Sequence, residues 1–199
     1  MSVLTPDYVL AGYRSGLFPM ADPHAGNIVL WFDPDPRAIL PLDTFHVTKN
    51  LARLVRRGAF EVTRDRDFEG VIRACADREE TWISEEIIQA YVALHRLGYA
   101  HSVECWREER LAGGLYGVAL GGAFFGESMF HRVRDASKVA LVHLVDLLRR
   151  GGFVLLDTQY LTPHLARFGA IEIPRADYRR RLAAALRVEA RWPAPAHSA

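Results

Sequence analysis

Asp157 and Gln159 stand two residues apart at the end of the apolar run Phe153 to Leu156. On a strand, residues at i and i+2 point to the same side, so the spacing predicts a carboxylate and a carboxamide projecting together from a strand end. Such a pair can orient and polarise an amine without a metal or a covalent intermediate, which is chemistry at a nitrogen nucleophile. The competing reading is structural: a strand end whose polar side chains satisfy one another.

The elements that position this pair are legible upstream. G-E-S-M-F (Gly126 to Phe130) precedes D-A-S-K (Asp135 to Lys138), the helix V-A-L-V-H-L-V-D-L-L-R-R and the stop Gly151-Gly152. That is strand, loop, helix, strand, with Ser137 expected as the N-cap. Together with T-W-I (Thr81 to Ile83), G-L-F-P (Gly16 to Pro19) and P-D-P-R-A (Pro34 to Ala38), the order resembles the bacterial leucyl/phenylalanyl-tRNA–protein transferases from about Tyr8 to about Tyr178. The resemblance implies a leucyltransferase that moves Leu or Phe, with Met a further candidate, from aminoacyl-tRNA to the α-amine of proteins beginning with Arg or Lys. That transfer creates a degradation signal.

Composition narrows the classes. With 199 residues, half of them hydrophobic, the chain can bury one large core, or a large one with a small appendage. A net charge of +1 excludes a general nucleic-acid coater, so RNA contact must be a local patch. Cys75 and Cys105 lie in no metal-ligand spacing and read as buried free thiols on a helix and a strand. No apolar run reaches membrane-spanning length and no leader segment is evident, so the expectation is a cytoplasmic, monomeric protein without a membrane partner. The Pro/Ala tail after Trp192 reads as frayed. His46, His101, His131 and His164 read as surface or loop residues, and neither metal nor cofactor is expected.

Periodicity and turn signals divide the chain into a small N-terminal subdomain, residues 1–37, and a catalytic domain, residues 38–199. The first holds one helix from Thr5-Pro6 to Gly16, then a loop dense in Pro, Asp and Gly. In the second, helices are expected near 48–57, 67–76, 84–97, 137–150, 163–168 and 175–187. Strands are expected near 60–63, 101–107, 111–120, 123–130 and 153–157, with a hairpin around Gly121-Gly122. The order resembles the α+β fold of GNAT-type N-acetyltransferases, a mixed sheet flanked by helices, which the transferase family shares. A CoA-dependent acetyltransferase is therefore the chief rival. Such enzymes need close-set glycines where the long helix begins, and here the segment reads H-R-V-R-D-A-S-K, with an acid at Asp135 that disfavours phosphate there. The peptidoglycan-bridge transferases are a second rival, but two copies of the fold would not fit in this length.

Further site residues follow from the resemblance. Leu141, Leu144 and Leu148 form one helical stripe, which alone would be ordinary core. At matching positions in the family the stripe joins those of Leu115, Phe124, Met129 and Leu156 to line the cavity for the transferred side chain. Leu and Met walls would admit Leu, Phe and Met. Glu127, in an otherwise apolar strand, needs a partner. Either an arginine pairs with it, or it meets a substrate cation, the donor amine or the acceptor's basic residue. Trp82 matches the tryptophan that stacks the terminal adenine, and Tyr13 and Tyr91 match two aromatic site positions. Where the family often has a second tryptophan this chain has Met20, so that wall is weaker or comes from Trp31. Lys49, Arg53, Arg56 and Arg57 share one helix face and match the family's patch for the acceptor stem. In the implied mechanism the acceptor amine attacks the ester, Gln159 accepts its hydrogen bond, and Asp157 orients and polarises Gln159.

Overall fold

The structure, a computed structural model, describes residues 4–193. The chain opens on helix α1 (Pro6–Arg14), started by Thr5, whose side chain accepts the Tyr8 N–H. Next comes a hairpin, β1 (Phe18–Asp22) and β2 (Ile28–Phe32), around a 3-10 turn at Pro23–Ala25. This corrects the expected loop. Proline reads as a strand breaker, but Pro19 lies in a two-stranded ribbon, and the N–H of Ala21, two residues on, leaves the ribbon for the carbonyl of Trp82. On that outward side a missing donor costs no ladder bond.

The remaining elements are β3 (Arg37–Ile39), α2 (Lys49–Arg56), β4 (Glu61–Arg64), α3 (Phe68–Ala76), α4 (Glu85–Arg96), β5 (Ala100–Arg107), β6 (Arg110–Leu120) and β7 (Ala123–His131). They are followed by α5 (Ala136–Arg150), β8 (Leu155–Gln159), α6 (Pro163–Ala166), β9 (Ile171–Ile173) and α7 (Arg175–Ala185). Strands β3 and β9 were not foreseen, because three residues are too few to show alternation. Ser137 is not the N-cap of α5. Asp135, at φ 68°, holds that position without a side-chain cap bond, and Ser137 is buried in the first turn.

Seven strands form one sheet in the order β4-β5-β6-β7-β8-β3-β9. Every pairing is antiparallel except β7 with β8, whose parallel run requires the crossover helix α5. One buried cluster joins α1, α3, α4 and α7 to one face of the sheet, and a second joins α2 and α5 to the other. The expected mixed sheet flanked by helices is thus the fold.

Two irregularities shape the middle of the sheet. Tyr116 pairs with Ser128 and Gly117 with Gly126, so Glu127 is the extra residue of a β-bulge. Furthermore, β7 pairs with β8 only through Phe125 and Asp157, beyond which the two strands part.

Candidate active site

Where β7 and β8 part, a cavity of about 280 Å³ opens. Leu115, Met129, Leu141, Leu144 and Leu156 give it an apolar floor, the buried Phe18 lines it too, and the half-buried Met20 and Trp82 stand at its rim. Gly126 lines it too; a Cβ there would meet nothing closer than 3.5 Å, so the missing side chain widens the cavity rather than relieving a clash. Phe124 and Leu148 are not among its walls, contrary to expectation. Both have no exposed surface, and Phe124 packs against Phe153 at 6.3 Å and Trp192 at 5.5 Å. The stripe on α5 runs on past the cavity into core. Trp31 does not replace the missing tryptophan either. It pairs across the hairpin with Pro19, on the face opposite Met20, and packs on Tyr8 at 5.1 Å and over Gly12, where any Cβ would collide with its ring.

The polar wall of the cavity is Glu127 with Gln159. Gln159 has φ 57°, which takes it out of strand geometry, and its Nε2 donates to Glu127 Oε1 at 3.2 Å. The Tyr91 hydroxyl donates to Glu127 Oε2 at 3.3 Å and hydrogen-bonds in turn with the Tyr13 hydroxyl. Tyr13 and Tyr91 are fully buried and do not line the cavity; they hold Glu127 from behind. The partners of Glu127 are therefore hydroxyls and an amide, not the arginine considered from sequence. Burial raises its pKa, the Tyr13 bond lowers it, the charge of Asp157 raises it, and the net result is about 8. Burial and the nearby Glu127 push both tyrosines well above the usual phenol range.

Asp157 is not at the cavity surface. Its carboxylate accepts Arg37 Nε at 3.0 Å, Arg37 Nη2 at 2.6 Å and the Tyr178 hydroxyl at 2.7 Å, and both partners of the ion pair have no exposed surface. Asp157 Oδ1 also accepts the backbone N–H of Gln159 at 2.9 Å. The acid and amide thus meet through the backbone, and only the amide reaches the cavity. The Arg37 guanidinium lies between the rings of Phe18 and Tyr178, at 4.7 and 4.3 Å, and donates to the Gly16 carbonyl at 2.9 Å. Burial works against its charge, but the bonds and charge of Asp157 outweigh that and its pKa rises. Burial and then Asp157 raise the Tyr178 hydroxyl. Arg37 and Tyr178 were missed in the sequence. The one signal was an arginine leading into the apolar run Ala38 to Leu40, where a charge needs a buried partner.

Other residues fall in and out of place. Arg78, at the cavity, donates to the Met129 carbonyl at 2.5 Å and to Ser128 Oγ at 3.3 Å. His164 also lines the cavity, whereas His101 is a core residue of β5, bonded to Asp65 at 2.9 Å and stacked on Trp192 at 4.5 Å. Lys49, Arg53, Arg56 and Arg57 are all exposed on α2, none in an ion pair among the described residues, and opposite the buried Leu51. Cys75 and Cys105 are free and buried, and burial pushes both thiols up to about 12. Among the described residues no helix is long and apolar enough to cross a membrane, and no group of three His, Cys, Asp or Glu could hold a metal ion. The tail beyond residue 193 lies outside the described residues.

A family profile described as leucyl/phenylalanyl-tRNA protein transferase matches residues 39–183, and one for that family's N-terminal domain matches residues 2–35. The leucyl/phenylalanyl-tRNA–protein transferase of Rubrobacter xylanophilus is 64% identical over 94% of this chain and 97% of its own. That of Salinibacter ruber is 61% identical over 95% of this chain and 83% of its own. Among solved structures, a GCN5-related N-acetyltransferase-like protein from Streptococcus suis aligns over 68% of this chain and 57% of its own, at 17% identity and a TM-score of 0.41. On the profile match and these identities, the chain belongs to the leucyl/phenylalanyl-tRNA protein transferase family.

Proposed function

We propose that the protein transfers Leu or Phe from aminoacyl-tRNA to the α-amine of proteins that begin with Arg or Lys. The observation that carries this reading is the cavity itself: an apolar floor for a side chain, with one carboxyl and one carboxamide at its polar wall. The donor ester is already activated, so the protein's task is to position two substrates and manage protons. The acceptor nitrogen attacks the ester carbonyl, the bond from that carbon to the ribose oxygen breaks, and a proton of the amine finally leaves with that oxygen.

Each polar group has a task in this sequence. The amide nitrogen of Gln159 is committed to Glu127, which leaves the carbonyl oxygen to accept from the incoming amine. Asp157 acts through Gln159 by holding its backbone N–H, and is a positioning residue. Glu127 meets a substrate amine. Its pKa of about 8 matches that of a free α-amine, roughly 7.7–8.0, so a proton can pass between them at little cost. Trp82 and Met20 at the rim face the terminal adenine, and the exposed cations of α2 hold phosphates of the acceptor stem without reading bases.

The test is direct. Incubated with labelled Leu-tRNA and peptides beginning with Arg, Lys or Ala, the protein should label the first two and spare the third. Acetylation from labelled acetyl-CoA, with no transfer from Leu-tRNA, would overturn the reading.

A further inference from the structure

A second cleft, of about 290 Å³, adjoins the cavity, and His164 lines both. Its walls come from three elements. Thr48 and Asn50 lie at the start of α2, Arg134 and Lys138 at the start of α5, and Arg167 just after α6. Three cations therefore face one acid, Asp135, which Lys138 engages at 2.6 Å and Arg134 approaches at 3.6 Å. The cleft stays positive after that pairing. Arg134 and Arg167 are both exposed, and His164 Nε2 is buried without a hydrogen-bond partner among the described residues.

The order in space is the informative point. The positive cleft opens into the apolar cavity at His164, whereas α2 turns Leu51 toward the cleft and its cations away from it. A ligand that spans both carries negative charge along its length and an apolar group at its end. A single-stranded RNA end esterified with an amino acid has that form; each phosphodiester held by a cation releases counterions and adds salt-dependent affinity. Asp135 does not prevent this, because its carboxylate is already engaged. Burial, followed by the charges of Lys138, Arg167 and His131, lowers the pKa of His164, so the ring enters the junction neutral, as a hydrogen-bonding group.

We infer that this cleft holds the phosphodiesters of the single-stranded 3′ end of the donor, and that His164 contacts its terminal nucleotide at the mouth of the cavity. The inference rests on the cavity being the aminoacyl site. The test compares leucyl-adenosine, which has no phosphodiester, with a leucylated CCA trinucleotide, which has two. The variants are Arg134→Gln with Arg167→Gln, which leaves Lys138 to hold Asp135, and His164→Gln alone. For the double variant, KM for the trinucleotide should rise about tenfold with kcat unchanged, while leucyl-adenosine stays within about twofold. Its KM for the trinucleotide should also depend less on salt. His164→Gln should raise KM for both donors, without changing that salt dependence. Equal losses of the double variant with both donors, or an unchanged trinucleotide KM, would overturn the cleft assignment. Failure of the unaltered protein to use either donor would instead overturn the cavity assignment beneath it. Melting temperatures within about 2 °C of the unaltered protein exclude a folding effect.

Discussion

Asp157→Asn keeps the shape of a buried side chain and removes its charge, and the structure sets the size of the effect. The carboxylate now accepts two Arg37 donors at 3.0 and 2.6 Å, the Tyr178 hydroxyl at 2.7 Å and the Gln159 N–H at 2.9 Å. An amide offers one acceptor oxygen in place of two, so its nitrogen must confront a donor, and Arg37 is left charged with no exposed surface. Breaking a buried ion pair from one side costs about 3–5 kcal/mol. At this chain length each kcal/mol lowers the melting temperature by about 2–4 °C, so the expected fall is roughly 6–20 °C. Arg37→Met should cost a similar amount. Arg37→Met combined with Asp157→Asn removes both charges and should recover about half or more of the summed loss. Thermal and urea unfolding of the four proteins gives the cycle; a double loss equal to the sum of the single losses would refute the coupling. The same variant tests function. If Asp157 acts by holding Gln159, Asp157→Asn should lower kcat about 100-fold with leucyl-adenosine, while KM stays within about threefold. A destabilised but fully active variant would make Asp157 purely structural.

Three further outcomes are expected. Leu144 lines the cavity, so Leu144→Phe should fill part of it and shift transfer from Phe toward Leu with little loss of stability; a drop of about 1–3 kcal/mol with an unchanged ratio would instead mark an overpacked core. Neutralising Lys49, Arg53 and Arg56 together should weaken tRNA binding and flatten its salt dependence by about one unit of slope per lost phosphate contact. Leucyl-adenosine transfer should survive that change, and equal loss with both donors would make α2 a structural helix. Glu127 has a folded pKa of about 8, above its ordinary 4.5, so between those values the native state holds a proton that the unfolded chain has shed. Stability attributable to this group therefore falls as pH rises across that window. The melting-temperature advantage of Glu127→Gln should grow from pH 5 to pH 8 and then level off, and parallel pH profiles for the two proteins would show that Glu127 is ionised throughout.

The sequence by itself carried most of the elements and the family. The strand, long helix and glycine stop around Ser137 to Gly152, the turn at Gly121-Gly122 and the one-faced cations of α2 are signals with a period of two or 3.6, or fixed turn chemistry, and each is written within a few residues. So was the stripe of leucines that supplies two of the five residues of the cavity floor. What lay beyond the sequence was the side on which each residue acts and its partner. Phe124 and Met129 are five apart and should face opposite ways on a regular strand, yet both belong to the cluster against α5, because the bulge at Glu127 reverses the alternation between them. Asp157 looked like a cavity residue until Arg37, 120 positions away, supplied a buried counter-ion. Tyr13 and Tyr91 come from two different helices and meet only behind Glu127. Local periodicity is set by backbone geometry, which each short segment carries within itself. Register, bulges and buried charge partners are set by which distant segments pack together, and a buried charge settles only where the whole fold brings its partner.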